Sequence, residues 1–144
     1  MHNSSLPDEV SIARLYILRA MYMFIVVGLG TYLWPDVLNP KRHWELMQGH
    51  ASCMLAAFSM LCVLGLRYPL KMIPVLLWEV AWKTLWLLIV PLPQWLSGHV
   101  DESLKPSIFS VSLVVLVYFV IPWRYVFKHY LSMPGDRWRY SHEQ

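Results

Sequence analysis

The sequence predicts an all-α integral membrane protein, an up-down four-helix transmembrane bundle, and three observations lead there. Of the 144 residues, 57% are hydrophobic and 15% charged, with a mean hydropathy of +0.42, whereas a soluble domain carries about 25% charged residues. The chain holds four long apolar runs, each close to the roughly 20 residues a helix needs to cross a bilayer. Four such spans take about 80 residues and leave about 60 for loops and ends, with no room among them for a separate soluble catalytic domain.

Taken in order, residues 1–10 hold Pro7, Asp8 and Glu9 and lack the basic start of a secretory signal, so the apolar run at 15–34 reads as a retained first span. Trp34, Pro35 and Asp36 end it. Asn39 before Pro40 has the form of an N-cap followed by Pro at the first helical position, which predicts a short interfacial helix over 40–48 with Trp44 at headgroup level. The second span, 50–66, places Ser52, Ala56 and Ser59 on one face, where small side chains allow close helix approach. Arg67, Tyr68, Pro69 and Lys71 form a tight basic turn, making spans two and three antiparallel neighbours. Span three, 70–95, carries Trp78, Glu79, Trp82, Lys83 and Trp86, and Pro91 and Pro93 should bend or end it. Span four is expected over 107–127, with Val111, Val114, Val115 and Val117. Because a spanning segment must satisfy its own backbone hydrogen bonds, a helix is expected there despite the β-branched residues. A tail, 128–144, contains Pro134-Gly135 and then Arg137, Trp138, Arg139 and Tyr140, a composition suited to anionic lipid or to a docking partner.

Cation placement sets the orientation. With four spans both termini share a side. That side collects eight cations, Arg14, Arg19, Arg67, Lys71, Arg124, Lys128, Arg137 and Arg139, against Lys41, Arg42 and Lys105 opposite. The asymmetry predicts that both termini are cytoplasmic. The net charge of +3 does not imply a nucleic-acid partner; the expected partners are the lipid bilayer and a membrane protein or a second copy of the chain.

Glu79 and Lys83 stand out, because charges deep in a span are functional candidates by default. They are four apart with the acid first, the favoured order for a helical ion pair. Counted from Leu70, they lie roughly 13 and 20 Å into the span, around the middle of a core about 30 Å thick. Matching antiparallel spans by level brings Met54, Ala57 and Phe58, residues 25–29, and Tyr118 with Pro122 near that depth. Tyr118 is the expected third member, its hydroxyl able to donate to the carboxylate or accept from the ammonium. Pro122 frees the carbonyl of Tyr118 itself. Trp82 and Trp86, three residues after Glu79 and Lys83, are candidates for hydrogen-bond or cation-π contact with them and for lining a pocket for an aromatic or isoprenoid ligand. Trp34, Trp44, Trp95, Trp123 and Trp138 fall near span ends, as an aromatic belt requires.

His50 and His99 fall on the same side of the membrane, with His43 nearby, and are the candidate ligands for a haem or metal. They sit near the rim, however, and no histidine pair has the i, i+4 spacing of a helical metal site. No cofactor is predicted, haem or quinone being the alternative. Cys53 and Cys62, nine apart, face opposite sides of one helix and cannot pair there.

Four spans in a chain of this size, a short basic turn between spans two and three, and charges at membrane level resemble the DoxX-like group of small bacterial membrane proteins. The string 77–83, Leu-Trp-Glu-Val-Ala-Trp-Lys, is similar to strings in uncharacterised bacterial membrane proteins of this length. The resemblance implies a bacterial inner membrane and an accessory role in a larger membrane or redox assembly, and it transfers no functional residue. The expected function is that of a non-enzymatic accessory or scaffolding subunit or a binder of a lipophilic molecule. Proton- or ion-coupled transport through Glu79 is the first alternative, and a haem or quinone redox protein the second.

Overall fold

The computed structural model describes residues 10–135. Ser11 opens the first helix from extended backbone, its hydroxyl accepting the Arg14 N–H at 3.3 Å, an N-cap that starts α1 (Ile12–Tyr32) ahead of residue 15. Pro35 initiates a single short turn, α2 (Trp34–Val37). The helix expected over 40–48 does not begin at Pro40. Asn39 turns the chain instead: its side-chain oxygen accepts the Lys41 N–H at 3.1 Å and its carbonyl the Arg42 N–H at 3.2 Å, a local pairing that competes with helix. An Arg42–Asp36 ion pair closes this loop. Helix resumes at Leu46, so α3 (Leu46–Arg67) combines the end of that segment with the second span.

α4 (Ile73–Ile89) and α5 (Pro91–Leu96) divide at Val90, ahead of Pro91, which cannot donate an N–H to the preceding turn. Gly98, at φ 76°, then supplies the left-handed turn out of α5. A 3₁₀ turn, Glu102–Leu104, leads into α6 (Lys105–Ser112) and α7 (Val114–Val120). The break at Leu113 follows Ser112, whose hydroxyl donates to the Ile108 carbonyl at 2.6 Å, a back-bond that bends helices. The last long helix ends at Val120 and not at Phe127. Pro122 drives the residue before it out of the helical region, and Ile121 is extended at ψ 126°. The chain continues as α8 (Trp123–Val126) and a π-helical turn, Phe127–Ser132. Arg137, Trp138, Arg139 and Tyr140 lie outside the described residues, as do Pro7, Asp8 and Glu9.

The described residues contain no strand. Four helical stretches, Ile12–Tyr32, Leu46–Arg67, Ile73–Leu96 and Glu102–Val120, are long and apolar enough to cross a membrane. They close a ring in chain order: α1 packs on α3, α3 on α4, α4 on α6 and α7, and α7 on α1. Neighbours run antiparallel, since the start of α1 meets the ends of α3 and α7. Arg19 Nε donates to Leu66 O at 3.2 Å, and an Arg14 guanidinium nitrogen donates to Ile121 O at 2.9 Å and Phe119 O at 3.3 Å. Among the described residues this end carries Arg14, Arg19, Arg67, Lys71, Arg124 and Lys128 and no carboxylate. The opposite end mixes Asp36, Glu45, Asp101 and Glu102 with Lys41, Arg42 and Lys105.

The α1–α3 contact turns on one close approach. Tyr22 is fully buried and its hydroxyl donates to Pro69 O at 3.0 Å. Its ring lies so near Gly65 that a Cβ there would come within 2.5 Å of two ring carbons. Small residues on α3 serve close packing in the way expected for Ala56 and Ser59, both buried. Gly65→Ala is therefore expected to lower stability by about 1–3 kcal/mol, the range for overpacking a dense core, measured as the midpoint of unfolding in a denaturing detergent.

Candidate functional site

The charged pair is built by one turn of α4. Side chains on a helix lean toward its N-terminus, so Lys83 reaches back to Glu79, with Nζ and Oε1 2.5 Å apart. Trp82 reaches back the same way, its indole N–H donating to Glu79 Oε2 at 2.8 Å. Both carboxylate oxygens are thereby engaged, and Glu79 is 4% exposed. The Lys83 ammonium also lies 5.7 Å from the Trp82 ring centroid, within cation-π range. An aromatic row extends from Trp82 to Trp78 and on to Phe58, with ring centroids 6.1 and 5.4 Å apart. Counted from Ile73, the pair lies about 9 to 15 Å along α4, around the middle of its 17 residues.

Above the pair is a cleft. α1 and α7 are joined at the basic end by Arg14. Toward the other end, α1 and the α6–α7 segment leave a space of about 290 Å³, close to the lower bound of roughly 300 Å³ for small-molecule sites. Ile25, Gly28 and Leu29 form one wall and Ser110, Val111 and Val117 the other, while Glu79, Trp82 and Lys83 supply the polar groups of the α4 side. Phe24, Tyr32 and Leu113 line it and are exposed. Two further clefts, of about 440 Å³ beside Pro91 and Trp95 and about 380 Å³ beside Phe58 and Trp78, have no charged residue in their linings.

Not every expected site residue joins this arrangement. Tyr118 does not complete the ion pair; its hydroxyl meets the Thr84 hydroxyl at 2.6 Å. Level matching assumed a helix continuous to Phe127, and the breaks at Leu113 and Ile121 put Val117 rather than Tyr118 into the cleft. The carbonyl of Tyr118 is freed by Pro122 as expected, and the Trp123 indole N–H takes it at 2.8 Å. Trp86 makes no ring or hydrogen-bond contact with Lys83, whose ammonium is drawn one turn the other way by Glu79. Trp34 is not simply a rim residue: its indole N–H donates to Ser59 Oγ at 2.9 Å, and Ser59 in turn donates to Ala56 O.

His50 and His99 are both exposed and bonded locally, His50 Nδ1 to Leu46 O at 2.6 Å and His99 Nδ1 to Ser97 O at 3.3 Å. Among the described residues no three His, Cys, Asp or Glu side chains come together as a metal site. Cys62 is buried and Cys53 exposed, on opposite faces of α3. At the same end as the histidines, Asp101 caps the 3₁₀ turn, and hydrogen bonds from Ser103, first its backbone N–H, hold the Asp101 carboxyl below the usual carboxylate range.

Sequence reasoning missed Arg14, Arg19 and Tyr22 as closures of neighbouring helix ends, counting the arginines only toward orientation. A signal was present, since Arg19 falls inside the expected first span, where a cation needs a partner. Gly28, in the wall of the cleft, falls among the residues 25–29 expected at the depth of the pair.

No protein-family model, curated protein or solved structure matches the chain.

Replacing Glu79 by Gln removes the counter-charge and leaves the Lys83 ammonium, 16% exposed, without one. Breaking a buried pair on one side costs about 3 kcal/mol or more. A clear fall in the detergent unfolding midpoint is expected for Glu79→Gln, and an unchanged midpoint would argue against a packed ion pair.

Proposed function

We propose that the chain is a multi-pass protein of a bacterial inner membrane, with both termini cytoplasmic, that binds a lipophilic molecule in the cleft above Glu79 and Lys83. The observation that carries this reading is a mostly apolar cleft that reaches a charged pair at mid-span depth. Apolar walls with a few convergent polar groups are the usual form of a small-molecule site, and charges inside a span mark functional sites. The orientation rests on six described cations at one end with no carboxylate among them. An accessory role, presenting the bound molecule to a larger membrane assembly, accords with the DoxX-like resemblance and with a chain that devotes four helices to spanning.

Transport coupled to protons or ions would load Glu79 through the same cleft. The engagement of both its oxygens, by Lys83 and by Trp82, favours a fixed polar floor over a group that is loaded and released. The redox reading would need His50 and His99 facing one another, and their exposed, local bonding lends it no support.

Gly28 gives the test. A Cβ at this position meets nothing within 4 Å, and Gly is a poor residue for a helix interior, so Gly28→Phe fills the cleft without straining the backbone. Native mass spectrometry from mild detergent is expected to show a bound lipophile on the unaltered protein, reduced at least ten-fold in Gly28→Phe with the unfolding midpoint kept or raised. Equal ligand occupancy in both would contradict the assignment to this cleft.

A further inference from the structure

We infer that the occupant of the cleft is a lipophile whose polar end is electrically neutral and presents an acceptor oxygen of the carbonyl type, an inference that rests on the binding reading above. Two observations carry it. The first is the balance of charge: Glu79 and Lys83 line the cleft together and neutralise one another. A carboxylate or phosphate head would compete with Glu79 for the one ammonium and leave an uncompensated negative charge at a depth where charge is disfavoured. An ammonium head would leave an uncompensated positive one. A neutral head leaves the pair intact.

The second is the balance of donors and acceptors. Glu79 accepts from Lys83 on one oxygen and from Trp82 on the other, so the Trp82 N–H is committed. An ammonium carries three N–H groups. Lys83 commits one to Glu79, and its only other contact among the described residues is with the face of Trp82. Two N–H groups thus remain on a residue that lines the cleft, in surroundings where a donor without an acceptor is unfavourable. The floor is therefore a donor in search of an acceptor. A carbonyl oxygen, with two lone pairs and no charge, meets both requirements, whereas an alkane meets only the first, neutrality, and leaves the donors unmet.

Such a carbonyl is offered by a single-chain ketone or by the ester of a glycerolipid, and the experiment separates them. The full chain in detergent micelles is presented with 2-pentadecanone, 1-palmitoylglycerol, palmitic acid, hexadecylamine or hexadecane at equal micellar concentration, at neutral pH, and occupancy is read by native mass spectrometry. The ketone or the glycerol ester is expected to bind at least ten-fold more tightly than the acid, the amine and the alkane, and whichever of the two is tighter identifies the source of the carbonyl. In the triple variant Glu79→Met, Trp82→Phe and Lys83→Met, which keeps an uncharged floor and carries no side-chain N–H donor, the advantage over hexadecane is expected to disappear while apolar binding persists. Tighter binding of palmitic acid or hexadecylamine would overturn the inference and leave a lipophile site in place. A persistent carbonyl preference in the triple variant would also overturn it. Binding of none of the five would overturn the binding reading itself.

Discussion

The mutual neutralisation of Glu79 and Lys83 on one turn of α4 is what lets an otherwise apolar helix carry two charges among its neighbours. Either charge alone at the middle of a membrane helix is disfavoured by about 2.5–3.5 kcal/mol on insertion scales. Together, four residues apart and with the Trp82 indole on the second carboxylate oxygen, they present no net charge and one satisfied acid. Their placement also organises what surrounds them. The aromatic row from Trp82 through Trp78 to Phe58 ties α4 to α3. The opposite side of the pair faces the space between α1 and α6–α7, where the only uncommitted hydrogen-bonding groups of the turn are those of Lys83.

The same rule, that polar groups in an apolar setting must find partners inside the chain, governs the helix ends. Pro122 stops the last long helix and strands carbonyls at its C-terminus. Trp123 takes that of Tyr118, and Arg14 takes those of Phe119 and Ile121. Arg19 and Tyr22 do the same for the end of α3 and the turn after it. A cation at a helix C-terminus also opposes the negative end of the helix dipole. The basic residues that set the charge asymmetry are thus in part the fasteners of the bundle, and they explain why α1 is held at one end and stands away from α6–α7 toward the other.

Four helices and the central pair are legible in the sequence, because long apolar runs and an i, i+4 Glu–Lys pair inside one of them have few other readings. The helix ends are less so. Asn39-Pro40 has the form of a helix start, yet an equally local pairing of the Asn39 side chain with Lys41 turns the chain instead. At Ile121 the restriction imposed by Pro122 was readable and outweighs the apolar character of residues 121–127. Which residues face the pair was hidden for a related reason. A back-bond from Ser112 breaks the last helix and resets its face, so that Val117 takes the place expected of Tyr118. The cleft depends on how far two helices stand apart, a property of the whole ring that no single run of residues encodes.

The central claim is that Glu79 and Lys83 act as one neutral unit, and a double-mutant cycle tests it most directly. Unfolding free energies in denaturing detergent are measured for the unaltered chain, Glu79→Gln, Lys83→Met and the two combined. A coupled pair predicts that each single change costs about 3 kcal/mol and the combination less than either, a coupling of several kcal/mol. Single effects that simply add, with a coupling within about 0.5 kcal/mol of zero, would contradict the account.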